Sequence, residues 1–206
     1  MFKNRSDAGE KLAERLRQYK NSNAIVLALP RGGVVVGYEV ARLLGVPLDI
    51  VVARKIGQPQ NPEYAICATD EKGTLLCDET EVRLVDQDWL KEEVERQRKE
   101  AKRRIQVYRN GKKPFQITNK VAIIIDDGIA TGLTMRLAIK AVRKQKPDRI
   151  IVAVPVAPSD IVRELRREVD EIIALEPTED FMGAVGAYYQ EFEQVEDDTV
   201  IRLLQS

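Results

Sequence analysis

The segment Val121–Ile125 is wholly apolar and stops abruptly at two carboxylates, Asp126 and Asp127. No other stretch constrains the fold as tightly. Five apolar residues with no polar partner suit a strand buried on both faces, the kind found in parallel sheets. A short loop follows, with glycines at 128 and 132 and threonines at 131 and 134. A helix is predicted over 132–144. Backbone N–H groups at a helix start have no partner within the helix and face outward, which makes an anion site. Small residues let a phosphate approach the backbone, and the threonine hydroxyls add donors. No lysine follows the second glycine, so the loop is not a Walker A sequence. Two acids beside a phosphate cradle would repel the ligand unless something neutral or cationic lay between them. A ribose diol and a Mg²⁺ ion meet that need.

The rest of the chain repeats the strand-then-helix pattern. Apolar runs at 24–29, 48–53, 149–155 and 171–175 read as buried strands, and 65–69 and 74–78 as two short strands around a turn. Helices are predicted from a Ser6 cap to about residue 19, over 34–44 with Gly45 as the stop, over 88–108, and from a Ser159 cap to about 168. Such alternation implies a parallel sheet with helices on both faces, which binds ligands at the carboxyl ends of its strands. Two further loops sit at such ends. Pro30-Arg31-Gly32-Gly33 follows the first strand. The stretch 54–62, with Arg54, Lys55, Gly57, Pro59 and Pro62, follows the second and reads as a loop.

Composition removes several alternatives. The 206 residues hold 33 basic and 33 acidic side chains, so no overall positive field points to nucleic acid. Histidine is absent, which excludes histidine-based triads and most zinc hydrolase sites, and leaves oxygen ligands suited to Mg²⁺. Cys67 and Cys77 match no zinc spacing and read as reduced, buried strand residues with no disulfide. No signal peptide or membrane span is legible, so a soluble cytoplasmic protein is expected.

The run Ile-Ile-Ile-Asp-Asp-Gly-Ile-Ala-Thr-Gly-Leu-Thr, Ile123 to Thr134, resembles the motif of type I phosphoribosyltransferases that binds 5-phosphoribosyl-1-pyrophosphate (PRPP). The resemblance implies that family's α/β fold over a single domain, residues 1–206. The core would cover about 20–175. A small hood would comprise about 176–206 with the N-terminal helix, and a helical embellishment 86–109. Asp126 and Asp127 would hold the ribose hydroxyls and sit near Mg²⁺. Gly128, Ile129, Ala130, Thr131, Gly132, Leu133 and Thr134 would wrap the 5′-phosphate. Arg31, Gly32 and Gly33 would form the pyrophosphate loop, with a cis peptide between Pro30 and Arg31. Arg54 and Lys55 would lie on a catalytic lid that excludes water and stabilises departing pyrophosphate, with Glu63 as its anchor or as a ligand contact. Gly128 stands where the family usually has a branched apolar residue. Ala130 stands where 6-oxopurine enzymes carry an aspartate, which argues against hypoxanthine or guanine as acceptor.

Residues 181–192 cluster aromatics with glycines and resemble the hood that supplies the base pocket, with Phe181 and Tyr188 as the candidates to touch substrate. The charged stretch 88–104 alternates acids and bases, as in a solvated helix face, and carries a broken stripe of Trp89, Leu90, Val94, Ile105 and Val107. Arg103, Arg104 and Arg109 could reach the site mouth. The expected activity is transfer of phosphoribosyl from PRPP to a nitrogen nucleophile, a nucleobase or another small molecule, by a chain that could pair as a homodimer. The alternative is a regulatory protein that senses PRPP or a nucleotide on the same fold.

Overall fold

The eight strands are β1 (Ala24–Ala28), β2 (Leu48–Ile50), β3 (Ala53–Gln58), β4 (Asn61–Asp70), β5 (Leu75–Cys77), β6 (Val121–Ile125), β7 (Arg149–Pro158) and β8 (Glu171–Thr178). The six α-helices are α1 (Arg5–Arg15), α2 (Gly32–Leu44), α3 (Gln87–Arg109), α4 (Leu133–Arg143), α5 (Ser159–Leu165) and α6 (Asp197–Gln205). The structure is a computed structural model that describes all 206 residues apart from the side chain of Glu63, so the expectation for that side chain lies outside the described residues.

Five strands form one sheet in the order β2-β1-β6-β7-β8, and every pairing in it is parallel. The chain steps outward from β1 to β2, then returns to the other side of β1 and continues through β6, β7 and β8. The direction reverses between β1 and β6, and a crevice opens at such a switch point. The acid pair ends β6 and the Pro-Arg-Gly-Gly loop ends β1, so the topology places both at that crevice.

Alternation along the strands explains why both faces are covered. Ile123 and Ile125 join Val26 and Ile151 in a core with Leu12 and Leu16 of α1 and Val36, Val40 and Leu44 of α2. Ile124 points the other way and joins Ile25, Val152 and Val154 under Leu137 and Val142 of α4 and Leu165 of α5. Gly45 ends α2 in the left-handed conformation at φ 65°, as its position predicts. Two caps differ from expectation. Asn4, not Ser6, caps α1 by accepting from the Asp7 N–H, and Pro158 precedes α5, which stops at Leu165. Among the described residues, no helix is long and apolar enough to cross a membrane.

The second sheet is an antiparallel ribbon, β3-β4-β5. It corrects the expectation of a loop over 54–62: only residues 59–60 turn, and the rest is paired strand. The prolines misled because the pairing shifts register at Gly57 and Gln58. Bulges tolerate proline, and Pro62 sits opposite that irregularity. A Cβ on Gly57 would lie 2.1 Å from the Pro62 carbonyl oxygen, so only glycine fits.

The cysteines are also corrected. Cys67 and Cys77 are register partners across β4 and β5, with Cα atoms 4.0 Å apart, and they form a disulfide. Neighbouring β-strands bring opposed side chains close enough to bond. Trp89, Leu90 and Val94 of α3 cover Ile56, Ile66 and Cys67 of the ribbon, while Ile105 and Val107 pack near Val200 of α6. The apolar stripe of this charged helix therefore ties the ribbon to the edge of the main sheet.

Candidate active site

One cavity of about 610 Å³ opens at the switch point. Asp126, Asp127, Gly128, Ile129, Ala130, Thr131, Gly132 and Thr134 line it from the loop after β6. Arg31 and Gly32 line it from the loop after β1, and Arg54 and Lys55 from β3. Leu133 and Gly33 do not line it: Leu133 turns its side chain into the core, and Gly33 is buried behind the acid pair. Gly132 caps α4 at φ 80°, a conformation that favours glycine, with no side chain closing the helix start. The backbone donors there stay available to a ligand.

The glycines at 32 and 33 have a steric reason. A Cβ on Gly32 would lie 1.9 Å from Asp127 Oδ2, and one on Gly33 would lie 2.9 Å from the Asp126 Cα. Side-chain-free residues are what allow this loop to rest on the two acids. The Pro30–Arg31 peptide is cis.

The acids differ electrostatically. Withdrawal of the Asp126 carboxyl from water, followed by repulsion from Asp127, raises its pKa well above the usual carboxylate range. Asp127 has a cation in contact, since Arg5 Nε lies 2.7 Å from its Oδ2. Arg5 opens α1 and was not legible as a site residue. The same guanidinium donates to the Glu193 carbonyl at 2.7 Å and lies 3.7 Å above the Phe192 ring. Tyr189 donates its hydroxyl to the Asp127 carbonyl oxygen at 2.5 Å.

Arg31 and Arg54 line the opposite wall, and Arg104 is buried behind them. Arg54 is partly buried, and its Nε donates to the neutral Gln97 side chain at 3.0 Å. Burial, then the charges of Arg104 and Arg31, lower its pKa to about 10. Arg104 itself is buried, bonded to Glu100 at 2.8 Å and within 3.4 Å of the Pro30 carbonyl oxygen. Arg31 faces Glu196 and Asp197 at 3.6 and 3.5 Å. Arg54 has a neutral hydrogen-bond partner and two cationic neighbours, a setting that suits an anionic ligand. The sequence reading of α3 as a solvated face holds for most of it, but Gln97 and Arg104 support the loop residues of the site. Arg103 bonds Asp197, and Arg109 turns away to Asp49.

The hood wall is built from Gly183, Ala184, Val185, Gly186 and Phe192. Phe181 and Tyr188, expected in the base pocket, do not line the cavity. Tyr188 is buried, stacks on Phe181 with centroids 5.5 Å apart, and accepts from the Met182 N–H, so this pair holds the hood loop together. Val185 also explains Gly128. A Cβ at position 128 would lie 2.4 Å from Val185 Cγ1 and 2.9 Å from Val156 Cγ1. The hood fills the space that a branched residue would take. Gly128→Val is therefore expected to cost about 1–3 kcal/mol of stability, the usual penalty of overpacking, read from denaturant unfolding. Adding Val185→Ala should recover part of that loss, whereas additive losses would mean the two positions do not compete for space.

Residues 3–191 match a family model described as "Phosphoribosyl transferase domain". The chain belongs to this family. Its parallel sheet with helices on both faces is the type I phosphoribosyltransferase fold. Two curated Mycobacterium tuberculosis proteins, from strains H37Rv and CDC 1551 and each named "Putative phosphoribosyl transferase", are 40% identical to it over 206 residues. The match takes in 99% of this chain but 46% of each relative, so the chain spans about half the length of those proteins. The crystal structure of the TT1426 protein from Thermus thermophilus is 42% identical, covers 98% of this chain and 97% of its own, and superposes with a TM-score of 0.78. The AQ2163 protein of Aquifex aeolicus shares the fold alone, at 9% identity, a TM-score of 0.51, and coverage of 87% of this chain and 78% of its own.

Proposed function

We propose that this phosphoribosyltransferase-family chain transfers a 5-phosphoribosyl group from PRPP to a nitrogen nucleophile and releases pyrophosphate. The observation that carries the reading is the contact between two loops. The Pro-Arg-Gly-Gly loop rests on an acid pair that leads directly into a helix-capping anion cradle, all within one cavity. Each part answers a part of PRPP. Thr131, Thr134 and the backbone donors of 129–134 hold the 5′-phosphate. Asp126 and Asp127 accept from the ribose hydroxyls. Arg31 and the backbone at Gly32 take the pyrophosphate, and Arg54 and Lys55 meet the charge that builds on it as it leaves. The ribbon and hood limit the water that could capture the oxocarbenium-like sugar.

The donor set fits Mg²⁺. That ion binds through one or two carboxylates, with water and substrate oxygens completing its shell, and the cavity offers two carboxylates at one strand end. When bound, it supplies charge neutralisation on the leaving pyrophosphate.

The test is pyrophosphate release from PRPP with Mg²⁺ across a panel of nucleobases, amines and ammonia, with an EDTA control. Release that depends on both an acceptor and the metal is the expected result. PRPP binding with no release for any acceptor would favour a sensor on the same fold, and no PRPP binding at all would remove the proposal.

A further inference from the structure

Along much of α3 the ion pairs are local, as between Arg96 and Glu93. Glu100 differs. It takes two arginines, three and four residues on, where a helix brings side chains onto one face. Arg103 donates to it through Nε at 2.7 Å, and Arg104 through Nε at 2.8 Å. The two arginines then part. Arg104 is buried and reaches the Pro30 carbonyl oxygen at 3.4 Å. Arg103 bonds Asp197 Oδ2, at the start of α6, at 2.9 Å. Asp197 Oδ1 in turn lies 3.5 Å from the Arg31 guanidinium. Pro30 and Arg31 are joined by a peptide bond, so the contacts close a ring: Arg31, Asp197, Arg103, Glu100, Arg104, Pro30.

From Arg31 to Arg104 the charges around this ring alternate. A buried cation needs a partner, and Glu100 supplies one to Arg104. The hydrogen bond from Arg103, working against burial, lowers the Glu100 pKa to about 2, so the carboxylate is ionised. Asp197 is held on both oxygens, because Tyr108 donates its hydroxyl to Oδ1 at 2.5 Å. Burial, then that bond, raise the Tyr108 phenol to about 12, so it stays a donor. Arg31 has a second acid nearby, Glu196 at 3.6 Å, but that side chain is 64% exposed, where ion pairs contribute little. Asp197, fixed from α3, is the stronger hold on the guanidinium. Arg31 lines the cavity, whereas Asp197, Glu100, Arg103 and Arg104 do not. The ring thus grips a ligand-facing residue twice, its backbone through Pro30 and its side chain through Asp197.

We infer that Asp197 and the Glu100–Arg103–Arg104 group of α3 are positioning residues for the pyrophosphate part of PRPP, acting through Arg31. The inference rests on the transferase reading above for the identity of the ligand. It makes α3 part of the site although the helix contributes no lining residue.

Calorimetry in Mg²⁺ with PRPP and with ribose 5-phosphate, which lacks the pyrophosphate, tests this without needing turnover. Asp197→Asn keeps the shape and an acceptor for Tyr108 but loses the charge that faces Arg31. It should weaken PRPP binding roughly 10-fold, within the span for residues that share one ion-pair network, and leave ribose 5-phosphate binding as in wild type. Arg103→Gln, at a half-exposed position, should show the same selective loss to a smaller degree, and it stands in if Asp197→Asn fails to fold. In an Arg31→Ala background, Asp197→Asn should cost PRPP binding nothing further. PRPP affinity unchanged or tighter in Asp197→Asn, equal loss for both ligands, or a loss that adds in full to that of Arg31→Ala would each overturn the assignment. Wild-type protein that fails to bind PRPP would remove the transferase reading along with it, whereas wild-type binding with indifferent variants removes the positioning role alone.

Discussion

Asparagine at position 126 is expected to abolish Mg²⁺–PRPP binding and, in the same protein, to raise thermal stability. The binding loss should be on the order of 100-fold or more, since even outer-shell partners of a metal site cost 10–100-fold when removed. Calorimetry with PRPP and Mg²⁺ reads it, and affinity equal to wild type would remove Asp126 from the site. The stability gain comes from the raised pKa. Burial, then Asp127, disfavours the ionised carboxyl in the folded chain. At a pH below the usual carboxylate range both folded and unfolded states are protonated, and the group costs nothing. As pH rises above that range the unfolded state ionises first. Stability then falls until the folded carboxyl also ionises, and the full loss persists at higher pH. Asparagine copies the protonated shape and has no proton to lose. Melting measured in EDTA without PRPP should therefore favour Asp126→Asn near neutral pH, with the advantage closing toward acid. An advantage independent of pH would mean that packing, not charge, sets the difference.

The double variant Arg54→Ala with Lys55→Ala should lose about two to three orders of magnitude in turnover, with a smaller loss of PRPP affinity. Both side chains line the cavity from a paired strand, and Arg54 sits among the positive charges of Arg31 and Arg104. Cations that meet charge developing on the leaving group act more strongly in the transition state than in the ground state. Steady-state turnover and equilibrium PRPP binding, measured on the same preparation, separate the cases. Equal losses would make the pair a ground-state clamp, and unchanged turnover would exclude it from chemistry. The ribbon geometry sharpens the expectation. Arg54 is register partner to Thr69 and bonded to Gln97 of α3, so it is held ready without waiting for a loop to order.

What could be read from the sequence was local. The acid pair, the glycines around it and the Pro-Arg-Gly-Gly turn announce themselves because strand, breaker and helix lie next to one another in the chain. The sheet followed from apolar runs and their alternation with helices. What was missed depends on pairing between distant segments. Arg5 looks like any polar residue at the start of an amphipathic helix, and nothing local says that it meets Asp127. Spacing and compartment argue against the disulfide, whereas it follows from the register of β4 on β5. Phe192, not Phe181 or Tyr188, lines the cavity, and aromatic content alone could not rank them. The paired doublet 54–58 was hidden by prolines that a bulge absorbs. Gly128 departs from the family pattern, and its reason, Val185, lies on a segment whose position only the fold provides.

The contacts of Arg5 bear on the order in which the chain can assemble. Arg5 reaches Asp127 across 122 residues and Glu193 across 188. Phe2 forms a parallel bridge with Tyr189, and its N–H bonds to the Tyr188 carbonyl. The sheet can form from nearer neighbours, since β6, β7 and β8 pair in sequence. Closing loops this long costs more chain entropy and brings its reward late in folding. A chain emerging from the ribosome carries both Arg5 and Asp127 while residues 188–193 are still unmade, and during that interval Arg5 would lack its Glu193 and Phe192 contacts. The hood wall of the cavity is the last part to be completed, and in partial unfolding it is the part expected to open first. Hydrogen exchange at 183–192 should accordingly run ahead of exchange in β6, so that the parallel sheet and the loop after β6 stay folded while the hood has already opened.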